Sequence, residues 1–246
     1  MNKSVSVCTP TFNRRDFIPI LIKCFNQQTY PKNLIEWIIV DDGDDKVEDL
    51  FKDIPQVKYF YFEEKMTLGK KRNVMNSKAT GDIIVYMDDD DYYPPERISH
   101  AVTKLVTNPK CMVAGSTYLY NYFANLNKVY LLGPYGDNHS TGACLAFKRE
   151  LLNNTKFDNK KDHAEESGFL KKYTFDMVQL VPEKTVVAMS HYKNTFDRNK
   201  LIDNNNNEKC VLTKKKLKQL VKNKNILKMY EDIYKNINDK KTEFKY

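Results

Sequence analysis

Short apolar runs alternate with helical spacings over the first 110 residues. Residues 4–9, 37–40, 57–62 and 83–87 are compact β-branched or aromatic stretches bounded by polar turns, which predicts four strands. Between them, Phe17, Ile20, Leu21, Cys24 and Phe25 recur at helical intervals over 15–27. Residues 47–51 read as a short helix and 69–77 as another. Ile98, Ala101, Val102, Leu105 and Val106 stripe one face of 96–107, with Pro94-Pro95 at the start, where a missing N–H is tolerated. This β-α-β-α order with short connections predicts an α/β fold: a Rossmann-like, mostly parallel central sheet flanked by helices.

After Lys110 the rhythm changes. Strands are expected at 112–118, 129–132, 143–147, 178–181 and 185–189. A helix begins near 148–152, and another covers 164–173. Four consecutive asparagines mark a linker at 203–208. Residues 213–224 and 226–237 read as amphipathic helices, with Leu217, Leu220, Val221, Leu227, Tyr230, Ile233, Tyr234 and Ile237 on the apolar side. The expected division is a main domain over 1–202 and a basic helical C-terminal appendage over 209–246.

Composition and charge exclude several classes. With 16 Tyr and 13 Phe among 246 residues, the chain has ample material for a core. No apolar stretch has the ~18 residues that a transmembrane helix needs, and the N-terminus lacks a signal-peptide core. The 5 cysteines are scattered, so structural zinc is not expected, and they read as buried thiols of a reducing, cytoplasmic compartment. The net charge of +8 is local: residues 209–246 hold 12 lysines against 4 acids, leaving 28 of the 40 basic and 28 of the 32 acidic residues in 1–208. No nucleic-acid partner is expected, because only the tail could supply a footprint. That tail is open to docking on the domain, on a partner or on an anionic membrane surface.

The densest chemistry is the run Asp88-Asp89-Asp90-Asp91, directly after the fourth predicted strand. Two unit charges 4 Å apart repel by about 4 kcal/mol at an effective dielectric of ~20. A divalent cation removes that cost, and strand C-terminal ends are where open α/β sheets place ligands. The run therefore reads as a metal-bridged nucleotide-diphosphate site, or else as a solvated acidic loop. Three other pieces lie at the same predicted edge: Pro10-Thr11-Phe12-Asn13-Arg14, Asp41-Asp42-Gly43 and Gly69-Lys70-Lys71-Arg72.

In this order and spacing the set resembles the family 2 glycosyltransferases of the GT-A fold. The resemblance is strongest over residues 4–98. It implies an inverting, metal-dependent transfer of a sugar from a nucleotide-diphosphate donor, with a UDP-sugar favoured, to a hydroxyl of a glycan or glycoprotein acceptor. Residues 1–110 would then be the nucleotide-binding half and 111–202 the acceptor side. Pro10, Thr11, Asn13, Arg14 and Asp42, with Asp41 as neighbour, would contact the nucleoside. Asp88-Asp89-Asp90 matches the family's Asp-x-Asp motif: Asp90 would bind Mn²⁺ or Mg²⁺, with Asp88 as co-ligand, and Asp88 or Asp89 the ribose or sugar. Lys71 and Arg72 would meet the phosphates. His191 would complete the metal shell. The family's catalytic base falls on Glu166, with Glu165 open, although a pair of acids at a helix start also merely stabilises the helix. The Asn/Lys/Ile-rich style is similar to glycosyltransferases of large DNA viruses. Two other readings stay open: a metal-dependent nucleotidyl- or phosphotransferase, and a non-catalytic carbohydrate-binding protein on the same fold.

Overall fold

A computed structural model describes residues 3–191, 194, 198–203 and 208–243. The first half builds β1 (Val5–Thr11), α1 (Ile18–Asn26), β2 (Ile35–Asp41), β3 (Val57–Tyr61), α2 (Leu68–Lys78), β4 (Ile83–Tyr86) and α3 (Arg97–Thr107). β1 is buried at every position, as a central parallel strand covered on both faces must be. The second half adds β5 (Val113–Gly115), β6 (Leu119–Phe123), β7 (Lys128–Leu132), β8 (Ala146–Lys148), α4 (Glu165–Phe169), β9 (Met177–Gln179) and β10 (Val187–Ser190). The chain continues through α5 (Lys200–Asp203), β11 (Cys210–Leu212), α6 (Leu217–Leu220) and α7 (Lys224–Glu243).

Seven strands form the main sheet in the order β3-β2-β1-β4-β8-β5-β9, parallel throughout except that β8 runs against both β4 and β5. This is the mostly parallel, helix-flanked sheet expected of the GT-A fold. A second sheet, β10-β6-β7-β11, stands apart. The two meet at a bridge between Tyr92 and Val187, which exchange both backbone hydrogen bonds (3.1 and 2.9 Å) immediately after the aspartate run. One apolar cluster joins α1, α3 and the second sheet, and it stacks Phe25 on Trp37 at 4.1 Å. The other, around Phe147, Phe157 and Phe169, lies on the opposite side beneath α2.

Four expectations change. The strand expected over 112–118 is cut short, and its continuation is β6 in the other sheet. Ser116 Oγ donates to the Tyr118 carbonyl and the Thr117 N–H donates to Gln179 Oε1, so side chains replace the ladder there. The strand expected over 143–147 starts as a 3₁₀ turn at Gly142–Cys144. The helix expected over 164–173 is the single turn of α4, because Ala164 before it and Lys171, Lys172 and Tyr173 after it all have positive φ (51°, 47°, 55° and 64°). The helix expected over 213–224 shrinks to α6. The tail opens instead with β11, paired antiparallel to β7, and Leu217, Leu220, Ile226, Tyr230 and Tyr234 join the main apolar cluster. Residues 204–207 of the expected linker lie outside the described residues.

Candidate active site

The C-terminal ends of β1, β2 and β4 and the N-terminus of α2 surround a cavity of about 530 Å³, closed on its far side by the 139–143 loop and α4. Of the candidate residues, Pro10, Thr11, Arg14, Lys71, Arg72, Asp88, Asp89, Asp90, Glu165 and Glu166 line it. Asn13, Asp41, Asp42 and His191 do not.

The reasons are local. Asp41 accepts from the Gly43 N–H (2.9 Å), the Val47 N–H (3.2 Å) and the Tyr59 hydroxyl, so its carboxylate ties down the turn after β2. Asn13 sits at φ 53° and accepts from the Asp45 N–H (3.1 Å), locking the turn after β1 against that same loop. Asp42 accepts from the Met66 N–H (2.6 Å) and pairs with Lys71 Nζ, which also donates to the Thr11 carbonyl (3.0 Å). Lys71 thus holds the cavity wall together through an ion pair.

Arg72 is the centre of the other wall. Its Nε donates to Glu165 Oε1 at 2.6 Å, its Nη2 reaches Asp88 Oδ1 at 3.4 Å, and its guanidinium lies over the Tyr86 ring. Its Nη1 is buried with no hydrogen-bond partner among the described residues. Gly142 makes room for this arrangement: a Cβ there would stand 2.5 Å from Arg72 Nη2 and 3.0 Å from Glu165 Oε1. Glu165 is therefore spoken for, whereas Glu166 shows no such ion pair. Burial, reinforced by the charge of Glu165, pushes the Glu166 carboxyl up to about 7.

The four aspartates diverge. The Asp88 N–H donates to the Tyr93 hydroxyl (2.6 Å), which fixes the start of the loop. Asp89 lies 3.8 Å and Asp90 3.7 Å from the Arg14 guanidinium. Asp90 also accepts from Asn194 Nδ2 (3.0 Å) and stands 3.2 Å from His191 Nε2. Burial alone would raise the Asp90 carboxyl, but His191, Arg14 and Arg198 together hold it well below the usual range. Burial and the Asp90 charge push Asp89 up instead. Asp91 turns away to accept from the Met189 N–H (2.8 Å), and burial raises it as well. His191 sits behind Asp90, stacked on Phe17 at 4.6 Å, with the Tyr234 ring of α7 6.1 Å away.

A hard divalent ion suits these donors. Carboxylate oxygen and imidazole nitrogen already converge at Asp90 and His191, a donor mix that Mn²⁺ accepts. Among the described residues no group of three His, Cys, Asp or Glu side chains forms a ready-made metal cage.

Sequence reasoning missed Phe12 in the wall, with Lys65 over its ring, and the apolar lining of Leu119, Leu132 and Tyr135. It also missed Arg198, 3.8 Å from Asp91. Phe12 was findable inside its motif. Arg198 was not, since nothing local distinguishes it from a solvated cation.

The fold is shared with known glycosyltransferases. The chain matches Glycosyl transferase family 2 over residues 6–173 and belongs to that family. A glucosyl-dolichyl phosphate glucuronosyltransferase of Haloferax volcanii is 30% identical over an alignment of 171 positions, and the match covers 62% of this chain and 54% of that protein. The chain thus spans about half the length of that relative. An uncharacterized glycosyltransferase of Haemophilus influenzae is 24% identical over an alignment of 208 positions, and the match covers 79% of this chain and 78% of the other. Among solved structures, S. aureus TarS 1–349 in complex with UDP-GlcNAc has a TM-score of 0.64 at 20% identity, over 78% of this chain and 60% of that one. The mannosyltransferase PcManGT of Pyrobaculum calidifontis, in complex with GDP-Man and Mn²⁺, has a TM-score of 0.62 at 18% identity, over 79% and 59%.

Proposed function

We propose that this protein is an inverting glycosyltransferase that moves a sugar from a nucleotide-diphosphate donor, a UDP-sugar, to a hydroxyl of a glycan or glycoprotein acceptor. The observation that carries the reading is the division of labour between two adjacent acids. Glu165 is neutralised by Arg72, while Glu166 stands in the same cavity with its proton affinity raised to near neutrality. A base for an alcohol works best with a pKa near the operating pH.

Asp90, with Asp88 and His191, would hold Mn²⁺ or Mg²⁺, which supplies Lewis-acid stabilisation to the departing diphosphate. Arg72 offers its unpartnered Nη1 to a phosphate oxygen. Arg14 sits between Asp89 and Asp90 and keeps the two charges compatible. Asp42 and Lys71 hold the turn after β1 against α2, which positions Pro10, Thr11 and Phe12 for the nucleoside. Glu166 takes the proton of the acceptor hydroxyl as its oxygen bonds the anomeric carbon. The bond to the diphosphate breaks on the opposite face, which inverts the configuration.

A thermal-shift panel tests this reading. UDP with Mn²⁺ at 100 Kd is expected to stabilise the protein by ~2.7 kcal/mol, and UDP with a chelator by much less. Stabilisation by GDP alone would reassign the donor. Full UDP affinity in Asp90→Ala would remove the carboxylates from the site.

A further inference from the structure

We propose that the free edge of the second sheet docks on an anionic lipid bilayer, with Val211 and Leu212 entering the headgroup layer amid a ring of lysines. β11 ends that sheet: one side pairs with β7, and no described strand covers the other. Val211 and Leu212 are 54% and 51% exposed, more than any other large apolar side chain among the described residues. Neighbours in a strand point to opposite faces, so both faces of this edge are bare.

Positive charge dominates around the pair, although exposed Glu208 stands next to Lys209. From Lys209 to Tyr230 the chain carries 8 lysines and no Asp or Glu. Lys214, Lys216 and Lys218 are exposed. Exposed Lys128 of β7 adjoins them, because the Thr213 N–H donates to the Val129 carbonyl (2.9 Å). Lys215 is set aside, since Glu183 pairs with it at 3.1 Å. Residues 1–208 have no net charge, so this face is a local feature and not the average of the molecule.

Charge and area select the occupant. A stable protein partner needs roughly 800 Å² on each side, far more than two aliphatic side chains offer. A lipid surface needs only a few inserted apolar groups, and each nearby lysine strengthens partitioning about fivefold on an anionic leaflet. Among the described residues no helix is long and apolar enough to cross a membrane, so the contact is peripheral. The edge also adjoins the cavity: Cys210 pairs with Leu132, one of its wall residues. If the transferase reading holds, an acceptor carried on the bilayer reaches the cavity from this side; the binding of lipid does not depend on that reading.

The test is co-sedimentation of the full chain with phosphatidylcholine vesicles, with and without phosphatidylserine, at low and high salt. Binding is expected only to the anionic vesicles and is expected to fall with salt. Lys214→Glu with Lys216→Glu should lower partitioning by about 25-fold or more, the product of two such lysine contributions. Val211→Ser with Leu212→Ser should lower it severalfold, with unchanged circular-dichroism melts and unchanged UDP stabilisation in both variants. Equal sedimentation with neutral and anionic vesicles would overturn the proposal. So would lysine variants that lose binding while the serine variants keep all of it, which is the behaviour of a polyanion site. A dimer seen by light scattering that the serine variants dissolve, without loss of vesicle binding, would assign the edge to a second copy instead.

Discussion

Glu165 and Glu166 show how much a single position decides. The pair is legible in the sequence, but the choice between them is not, because it rests on Arg72, a residue distant in the chain. Arg72 takes Glu165 and leaves Glu166 to rise with burial. Glu166→Gln is expected to lower transfer 10²–10⁴-fold at saturating donor, the usual cost of losing a general base, while UDP stabilisation survives. In the wild type the rate should fall on the acid side with a midpoint near 7. Glu165→Gln removes the charge that helps raise Glu166, so its acid limb should move to lower pH. A limb that stays put under Glu165→Gln would separate the two acids. The sign for stability runs the other way. A folded pKa raised above the model-peptide value favours the protonated native state, so this contribution is present at low pH and lost as pH rises through about 7. Glu166→Gln should accordingly gain on the wild type in urea titrations above that pH. Arg72→Met leaves Glu165 buried without its partner and is expected to cost about 3–5 kcal/mol in the same titrations. The acid run was readable because its members are contiguous. Asp41, Asp42 and Asn13 accept from backbone donors of neighbouring turns, and no spacing rule shows a carboxylate turning inward.

At the scale of elements, α1 and α3 were legible from apolar stripes at helical spacing, and β1, β2 and β4 from short buried apolar runs; α2 carries no such stripe. α4 was not legible. Its apolar positions suit a longer helix, but four residues with positive φ confine it to one turn. The short turn is what brings both acids to the cavity wall. α2 depends on a similar fit. Gly69 donates to the Lys161 carbonyl (2.8 Å), and a Cβ there would lie 2.1 Å from the Asp158 carbonyl oxygen. Gly69→Ala is expected to destabilise by about 1–3 kcal/mol, as overpacking does, and to weaken UDP binding, because α2 carries Lys71 and Arg72. Gly168→Ala, with nothing within 4 Å of the added carbon, is the matched control. Equal melting temperatures for the two variants would show that the 157–162 loop yields freely.

For the molecule as a whole, the tail packs on the main sheet, one of the docking modes the sequence left open. The asparagine run and two amphipathic patterns suggested a basic helical appendage, and its Ile226, Tyr230 and Tyr234 lie in the same apolar cluster as Trp37 of the main sheet. Alternating charge and apolar residues record only that a helix has a buried face, not what it is buried against. Scanning calorimetry of the full chain is expected to give one transition, because the cluster spans both sheets and the tail. Tyr230→Ala should lower that single transition by the equivalent of about 3–5 kcal/mol, typical of a buried aromatic truncation. Two separable transitions, with only the smaller one moved by Tyr230→Ala, would make the tail an independent unit.

The bridge between Tyr92 and Val187 has a consequence for how this chain tolerates lengthening. Three residues separate Asp88 from the strand-like contact that ties the first sheet to the second. One residue added within 89–91 would shift the register of that tie and re-aim every carboxylate before it. The same insertion in the 124–127 turn between β6 and β7 would be absorbed at the surface. Of the two segments, only the acidic one has a fixed length.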